Sequence, residues 1–207
     1  MSKKLAYLAL ALVFAPIVLG MAALPVLASA EVGKPAPDFK ATDIHGHEFK
    51  LSEQKGKTVV LEWTNNECPF VKKHYGSGNM QATQKQATDK GVVWVSIVSS
   101  APGKQGNVTP EQAIEIEKEV GAHDTARILD ESGEIGHMYG AKTTPHMFVI
   151  DPEGKLAYAG AIDDQPSPDP ETVKTATNYV LAAVNDLSEG HEVATPVTTP
   201  YGCGVKY

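Results

Sequence analysis

The uncharged, β-branched run Val92-Val93-Trp94-Val95-Ser96-Ile97-Val98 is the clearest strand in the chain. A second run, Thr58-Val59-Val60-Leu61-Glu62-Trp63, opens at Lys57 and ends in the polar loop Thr64-Asn65-Asn66-Glu67, and reads as a buried strand. Helix signals follow each run. After the earlier one, proline in Cys68-Pro69 stands just past a cap position, so a helix is predicted from Phe70. Gly76-Ser77-Gly78-Asn79 interrupts that helix, and Asn79 is expected to cap its resumption over 80–89. After Val98 and the polar loop 99–108, Thr109-Pro110-Glu111-Gln112 forms a capping box, opening a helix that Gly121 stops.

The remaining segments complete the pattern. Phe39-Ala41 and Glu48-Leu51 read as a small hairpin about His45-Gly46. Ile128-Asp130 is a short strand, 135–139 one or two helical turns, and His146-Asp151 and Leu156-Gly160 two strands about Pro152-Glu153-Gly154. Asp169-Pro170-Glu171 is expected to cap a last helix carrying Val173, Ala176, Val180, Val184 and Leu187 on one face. The order implies an α/β fold with a mixed central sheet, helices on both faces, an N-terminal hairpin and an extended C-terminal tail. Residues 191–207, with Pro196, Pro200, Gly202 and Gly204 and no helical period, read as that tail, outside the core.

The chain begins with a different kind of segment. Met1–Lys4 carries two lysines, Leu5 to Leu27 has no charge, and Ala28-Ser29-Ala30 is a small-x-small site. This is the pattern of an export signal over 1–30, with an uncleaved anchor as the competing reading. Residues 31–190 then form one domain, placed outside the cytoplasm in the periplasm or beyond, where paired cysteines can stay oxidised. A net charge of -7 with Arg127 as the sole arginine gives no footprint for nucleic acid. Two cysteines exclude a disulfide-stapled miniprotein and a four-thiolate zinc site.

Cys68 stands at a strand-loop-helix junction, where unpaired N–H groups and the helix dipole favour a thiolate, the reactive form of cysteine. Lys72 and Lys73 fall in the first turn and can add to that stabilisation, with Glu67 opposing. Asp163-Asp164 sits in a Pro-rich loop, where paired carboxylates read as solvated.

Five motifs in order carry a family resemblance: Val32-Gly33-Lys34-Pro35-Ala36-Pro37-Asp38-Phe39, Gly56-Lys57 before the Val59 strand, Cys68-Pro69, Thr144-Pro145, and Phe148-Val149-Ile150-Asp151-Pro152-Glu153-Gly154. The chain resembles the redoxin (AhpC/TSA-like) branch of the thioredoxin-like superfamily, which holds peroxiredoxins and exported thiol-disulfide oxidoreductases. The resemblance implies a thioredoxin-like fold, Cys68 as the first active-site cysteine and Thr144-Pro145 as a cis peptide lying against it. It also places His146 near the thiol as a tuning neighbour, beside Thr144 and Lys72. No organic cofactor is implied, and the expected partners are an external thiol or disulfide redox protein or a peroxide.

Two departures sharpen the expectation. The second cysteine of the oxidoreductase motif is replaced by Val71, so a local dithiol cycle is impossible. The peroxiredoxin arrangement is also incomplete: Leu61 and Asn65 stand where its proline and threonine or serine belong, and no arginine precedes Phe148 nearby. Cys203 is the candidate replacement for the missing thiol. At about 3.3 Å per residue the stretch from Gly190 to Cys203 extends roughly 40 Å, about a domain diameter. Flanking Gly202 and Gly204 allow close backbone approach. A Cys68–Cys203 disulfide is therefore expected, either redox-active with Cys203 resolving, or static and fastening the tail. The static case makes the chain a non-catalytic binding module. A third class, copper or zinc handling through Cys68 with His146 or His74, has weaker spacing support.

Overall fold

The computed structural model describes residues 30–207, so the leader expected to be an export signal lies outside the described residues except for Ala30. Among the described residues no helix is long and apolar enough to cross a membrane. The N-terminal hairpin forms from β1 (Lys40–Thr42) and β2 (Glu48–Lys50), paired antiparallel with Ala41 opposite Phe49. The Val59 run becomes β3 (Val59–Trp63), followed by α1 (Pro69–Gly76) and α2 (Asn79–Thr88). The Val92 run becomes β4 (Val93–Val98), and α3 (Pro110–Val120) and β5 (Ala126–Leu129) follow. Then come α4 (Glu134–Tyr139), β6 (Thr143–Thr144), β7 (His146–Ile150), β8 (Leu156–Gly160), α5 (Tyr179–Ser188) and β9 (Cys203–Gly204).

The main sheet has the order β5-β4-β3-β7-β8. The β3-β4 and β4-β5 pairs are parallel, whereas β7 runs antiparallel to both β3 and β8. Every residue of β3, β4 and β7 is buried. Uniform burial explains their continuous apolar runs, since strands covered on both faces need no alternation. On one face Leu61, Trp63, Val95 and Phe148 pack with Phe39 and Phe49 of the hairpin region and with Ile135 and Tyr139 of α4. On the other, Val60, Trp94 and Met147 pack with Met80 and Ala87 of α2 and with Val180 and Val184 of α5. This is the thioredoxin-like arrangement that the motifs implied.

Two helix starts differ from expectation. Asn79 does not cap α2: the cap position is Gly78 in a left-handed conformation, and the Asn79 amide turns back to donate to His74 Nδ1 at 2.9 Å. Asp169 caps only a short 3-10 turn over Pro170–Lys174, and α5 begins at Tyr179. The Asn178 side chain accepts from Leu181 N–H at 2.9 Å and donates to Thr83 at 2.9 Å. Asn178 also bridges Asp163, so this stretch is held across the molecule and cannot continue as helix from the earlier turn. Val173 and Ala176 therefore do not share a helical face with Val180.

The tail is extended, as expected, but it is seated along the whole domain. Thr198 fills the space over Gly160, where a Cβ would lie 2.1 Å from its hydroxyl. Its hydroxyl pairs with Tyr158 at 2.6 Å and accepts from Ala161 N–H at 2.9 Å. Further on, β9 pairs antiparallel with β6, Thr144 opposite Cys203. Backbone hydrogen bonds from Val205 to Lys142 and from Ala101 to Lys206 continue the attachment.

Candidate active site

The β3 strand delivers the loop 64–67, and Asn65 holds that loop in place. Its side chain accepts from Glu67 N–H at 2.9 Å and donates to the Gln105 carbonyl at 3.2 Å. Gly106 is required beneath it: φ is +82°, and a Cβ there would lie 2.5 Å from the Asn65 amide carbon. Cys68 follows as the cap of α1, extended at φ -71° and ψ 126°, with Pro69 opening the helix. Its side chain sits at the positive end of the helix, where negative charge is favoured.

Thr144-Pro145 is a cis peptide, and the Cys68 thiol donates to the Thr144 carbonyl at 3.1 Å. The β6-β9 pairing brings Cys203 to the same point. Gly202 makes this approach possible, because a Cβ at its φ of +139° would lie 2.1 Å from the Thr144 carbonyl oxygen. Both sulfurs are unbonded, and Cys68 is fully buried while Cys203 is partly exposed.

The two thiols are held in unlike states. Burial pushes the Cys68 thiol up, but hydrogen bonds from the Cys203 and Thr144 side chains and from the Val71 and Cys203 backbone outweigh it and leave it below the ordinary value. The Thr144 hydroxyl is buried and makes no other hydrogen bond among the described residues, so it is available to a thiolate. Cys203 moves the other way, up to about 11, through burial first and then through its hydrogen bond to Cys68 and the negative charge there. The pair thus separates into a thiol biased toward its anion and a proton-bearing neighbour.

The other titratable side chains of this region have their own surroundings. Lys72 is exposed and lines a cleft of about 540 Å³ with Glu67, Val71 and Ile116. His146 is buried against Phe148, its Nδ1 accepts from Lys142 N–H at 3.2 Å, and burial holds its pKa near 4. A neutral imidazole contributes no charge to a thiolate. His74 is directed away from Cys68 toward the Asn79 amide and the Tyr201 hydroxyl. Among the described residues no three His, Cys, Asp or Glu side chains converge to hold a metal ion.

Two buried polar groups escaped the sequence reading. Glu62, six residues before Cys68, is fully buried and accepts from Trp94 Nε1 at 2.9 Å, Tyr75 at 3.0 Å and Gln84 at 3.1 Å. Burial pushes its carboxyl up. Its signal was present, since it is the only acid inside an apolar strand run. The second group corrects the reading of Asp163 as a solvated carboxylate: it is buried with Lys73 at 3.7 Å and His74 at 4.0 Å. Nothing local marks it, because its partners come from α1 and the tail.

Comparison with known proteins agrees with this geometry. Residues 32–159 match the model of the AhpC/TSA family. The chain is 29% identical over 128 residues to the thiol-disulfide oxidoreductase ResA of Bacillus thuringiensis subsp. konkukian, covering 61% of this chain and 67% of that one. Among solved structures it is similar to a hypothetical protein from Sinorhizobium meliloti 1021, with a TM-score of 0.73, 28% identity and coverage of 86% and 96% of the two chains. It is also similar to an uncharacterized conserved protein from Geobacillus kaustophilus, with a TM-score of 0.71, 27% identity and coverage of 86% and 92%.

Proposed function

The chain belongs to the AhpC/TSA family, and from that premise we propose that it is an exported thiol-disulfide oxidoreductase in which Cys68 attacks and Cys203 resolves. It is a thiol-dependent oxidoreductase of thioredoxin-like fold. The observation that carries the residue roles is the convergence of Cys203, on a strand paired to Thr144, with the low-pKa Cys68 at the helix start. Export is supported by the leader over residues 1–30.

In the proposed cycle the Cys68 thiolate attacks one sulfur of a substrate disulfide. A mixed disulfide forms, and the displaced substrate sulfur leaves as a thiolate that takes up a proton. Cys203 then gives up its proton and attacks the Cys68 sulfur. The Cys68–Cys203 disulfide forms, the second substrate thiol leaves, and the substrate is reduced by two electrons while the protein is oxidised. An external dithiol protein restores the two thiols. The elevated pKa of Cys203 suits this order, because the negative charge on Cys68 that raises it disappears once Cys68 is in the mixed disulfide.

Full burial of Cys68 adds a requirement: the tail must lift for substrate to reach the sulfur and return for resolution. Disulfides are favoured over peroxides as substrate because the sole arginine, Arg127, is engaged elsewhere, paired with Asp124 at 3.0 Å.

Insulin reduction with a small dithiol as electron source tests the proposal. Wild type is expected to turn over and Cys68→Ser to be inert. Cys203→Ser is expected to accumulate a mixed disulfide at Cys68, visible by mass. Equal activity of wild type and Cys68→Ser, or a Cys203→Ser variant that turns over normally, overturns it.

A further inference from the structure

The tail approaches Cys68 through a buried polar socket two residues before Cys203. Tyr201 projects its hydroxyl among Lys73, His74 and Asp163. Lys73 and His74 belong to the same helix that Cys68 caps, and the side chains of all three socket residues are fully or almost fully buried. The network has one consistent direction. Asn79 donates to His74 Nδ1, so His74 Nε2 carries the proton and donates to the Tyr201 oxygen at 3.3 Å. Tyr201 in turn donates to Asp163 Oδ1. The Lys73 ammonium donates to the Gln165 carbonyl at 2.8 Å and lies 3.5 Å from the Tyr201 oxygen.

The ring is held as well, edge-on to Phe70 at 5.8 Å between centroids and beneath the Lys73 cation at 5.4 Å. Beyond Cys203 a second attachment exists. The Tyr207 ring stacks on His137 at 3.9 Å over Gly133 and Gly136, and its hydroxyl donates to the Ala141 carbonyl at 2.9 Å.

Resting on the reading of Cys203 as resolving thiol, we propose that Tyr201 is a positioning residue whose seat in the Lys73–His74–Asp163 socket sets Cys203 against Cys68. The socket ties the tail to the helix that carries the nucleophile, so its occupancy fixes the effective concentration of one thiol at the other. A hydroxyl bonded to a buried carboxylate is a strong tether, because hydrogen bonds to charged groups exceed neutral ones. Phenylalanine at 201 keeps the contact with Phe70 and removes only that tether, while Tyr207 and Thr198 continue to hold the tail.

The test is the equilibrium of the Cys68 and Cys203 thiols with glutathione buffers, in wild type, Tyr201→Phe and Tyr139→Phe. Tyr139 also loses a buried hydroxyl bond, to the Pro37 carbonyl at 2.7 Å, but away from the tail. Tyr201→Phe is expected to lower the effective concentration about tenfold, a shift of about 30 mV toward less negative potential. Tyr139→Phe is expected to lower thermal stability with the potential unchanged. A Tyr201→Phe potential equal to wild type, or a shift matched by Tyr139→Phe, overturns the positioning role. Wild type that keeps two free thiols across the whole buffer range overturns the underlying reading of Cys203, a result distinct from the other two.

Discussion

Gly202→Ala should uncover Cys68 without unfolding the domain. Gly202 has φ +139°, where side chains other than glycine are strained by about 1–3 kcal/mol. The added Cβ would also lie 2.1 Å from the Thr144 carbonyl oxygen and 2.7 Å from its carbon, both backbone atoms that cannot rotate aside. The tail must retreat by about 1 Å to reach ordinary contact, which breaks the β6-β9 pairing at Thr144–Cys203. One or two hydrogen bonds lost at about 1 kcal/mol each bring the sum to about 2–5 kcal/mol against the docked tail. The lifted state should then become about 30-fold to several thousand-fold more populated, since 1.4 kcal/mol is tenfold.

Cys68 has no exposed surface while the tail is docked, so its alkylation rate by iodoacetamide at fixed pH reports that population. The rate should rise by at least an order of magnitude, with far-UV circular dichroism almost unchanged because the five-stranded sheet and the helices contain no residue of this contact. A Gly202→Ala rate within twofold of wild type would refute the reasoning: either the tail does not bury Cys68 or the clash relaxes at no cost.

Three further outcomes follow from the same structure. Cys203→Ala removes the largest hydrogen bond holding the Cys68 thiol down, so the midpoint of its alkylation rate against pH should move upward; a midpoint that stays or falls contradicts the assignment. His74 and His146 are buried neutral with pKa values near 4, below the unfolded value of about 6.5. The unfolded chain then binds more protons as pH falls from 6.5 to 4, so stability should drop through that window by up to about 3 kcal/mol per histidine. The melting temperature against pH should flatten in His146→Asn, whose amide oxygen can accept from Lys142 N–H, and an unchanged slope would remove His146 from the account. Asn178→Ala deletes the cap of α5 and the link to Thr83, and urea unfolding should show a loss of about 1–2 kcal/mol with unchanged m-value.

Particular residues show how far the sequence could be read. The Val59 and Val92 runs declared buried strands because a strand covered on both faces cannot alternate. Thr109 and Gln112 declared their helix start because a capping box closes within four residues, and both of its bonds form. Asn79 and Asp169 misled for the opposite reason. A cap residue offers the same side-chain oxygen to a turn or a helix, and contacts from His74 and from the Asp163–Asn178 bridge decided which formed.

At the site the division is similar. Sequence determined the α/β order, the cysteine at the head of a helix, the absence of its usual neighbour at Val71, and a tail long enough to offer another thiol. Those are properties of spacing along one chain. That Cys203 meets Cys68 beside Thr144, and that Tyr201 enters a socket built by Lys73, His74 and Asp163, were decided by the tertiary structure alone. Each depends on segments between 38 and 135 residues apart being brought within hydrogen-bonding reach, and hydrogen-bond geometry leaves no trace in the local pattern of either segment.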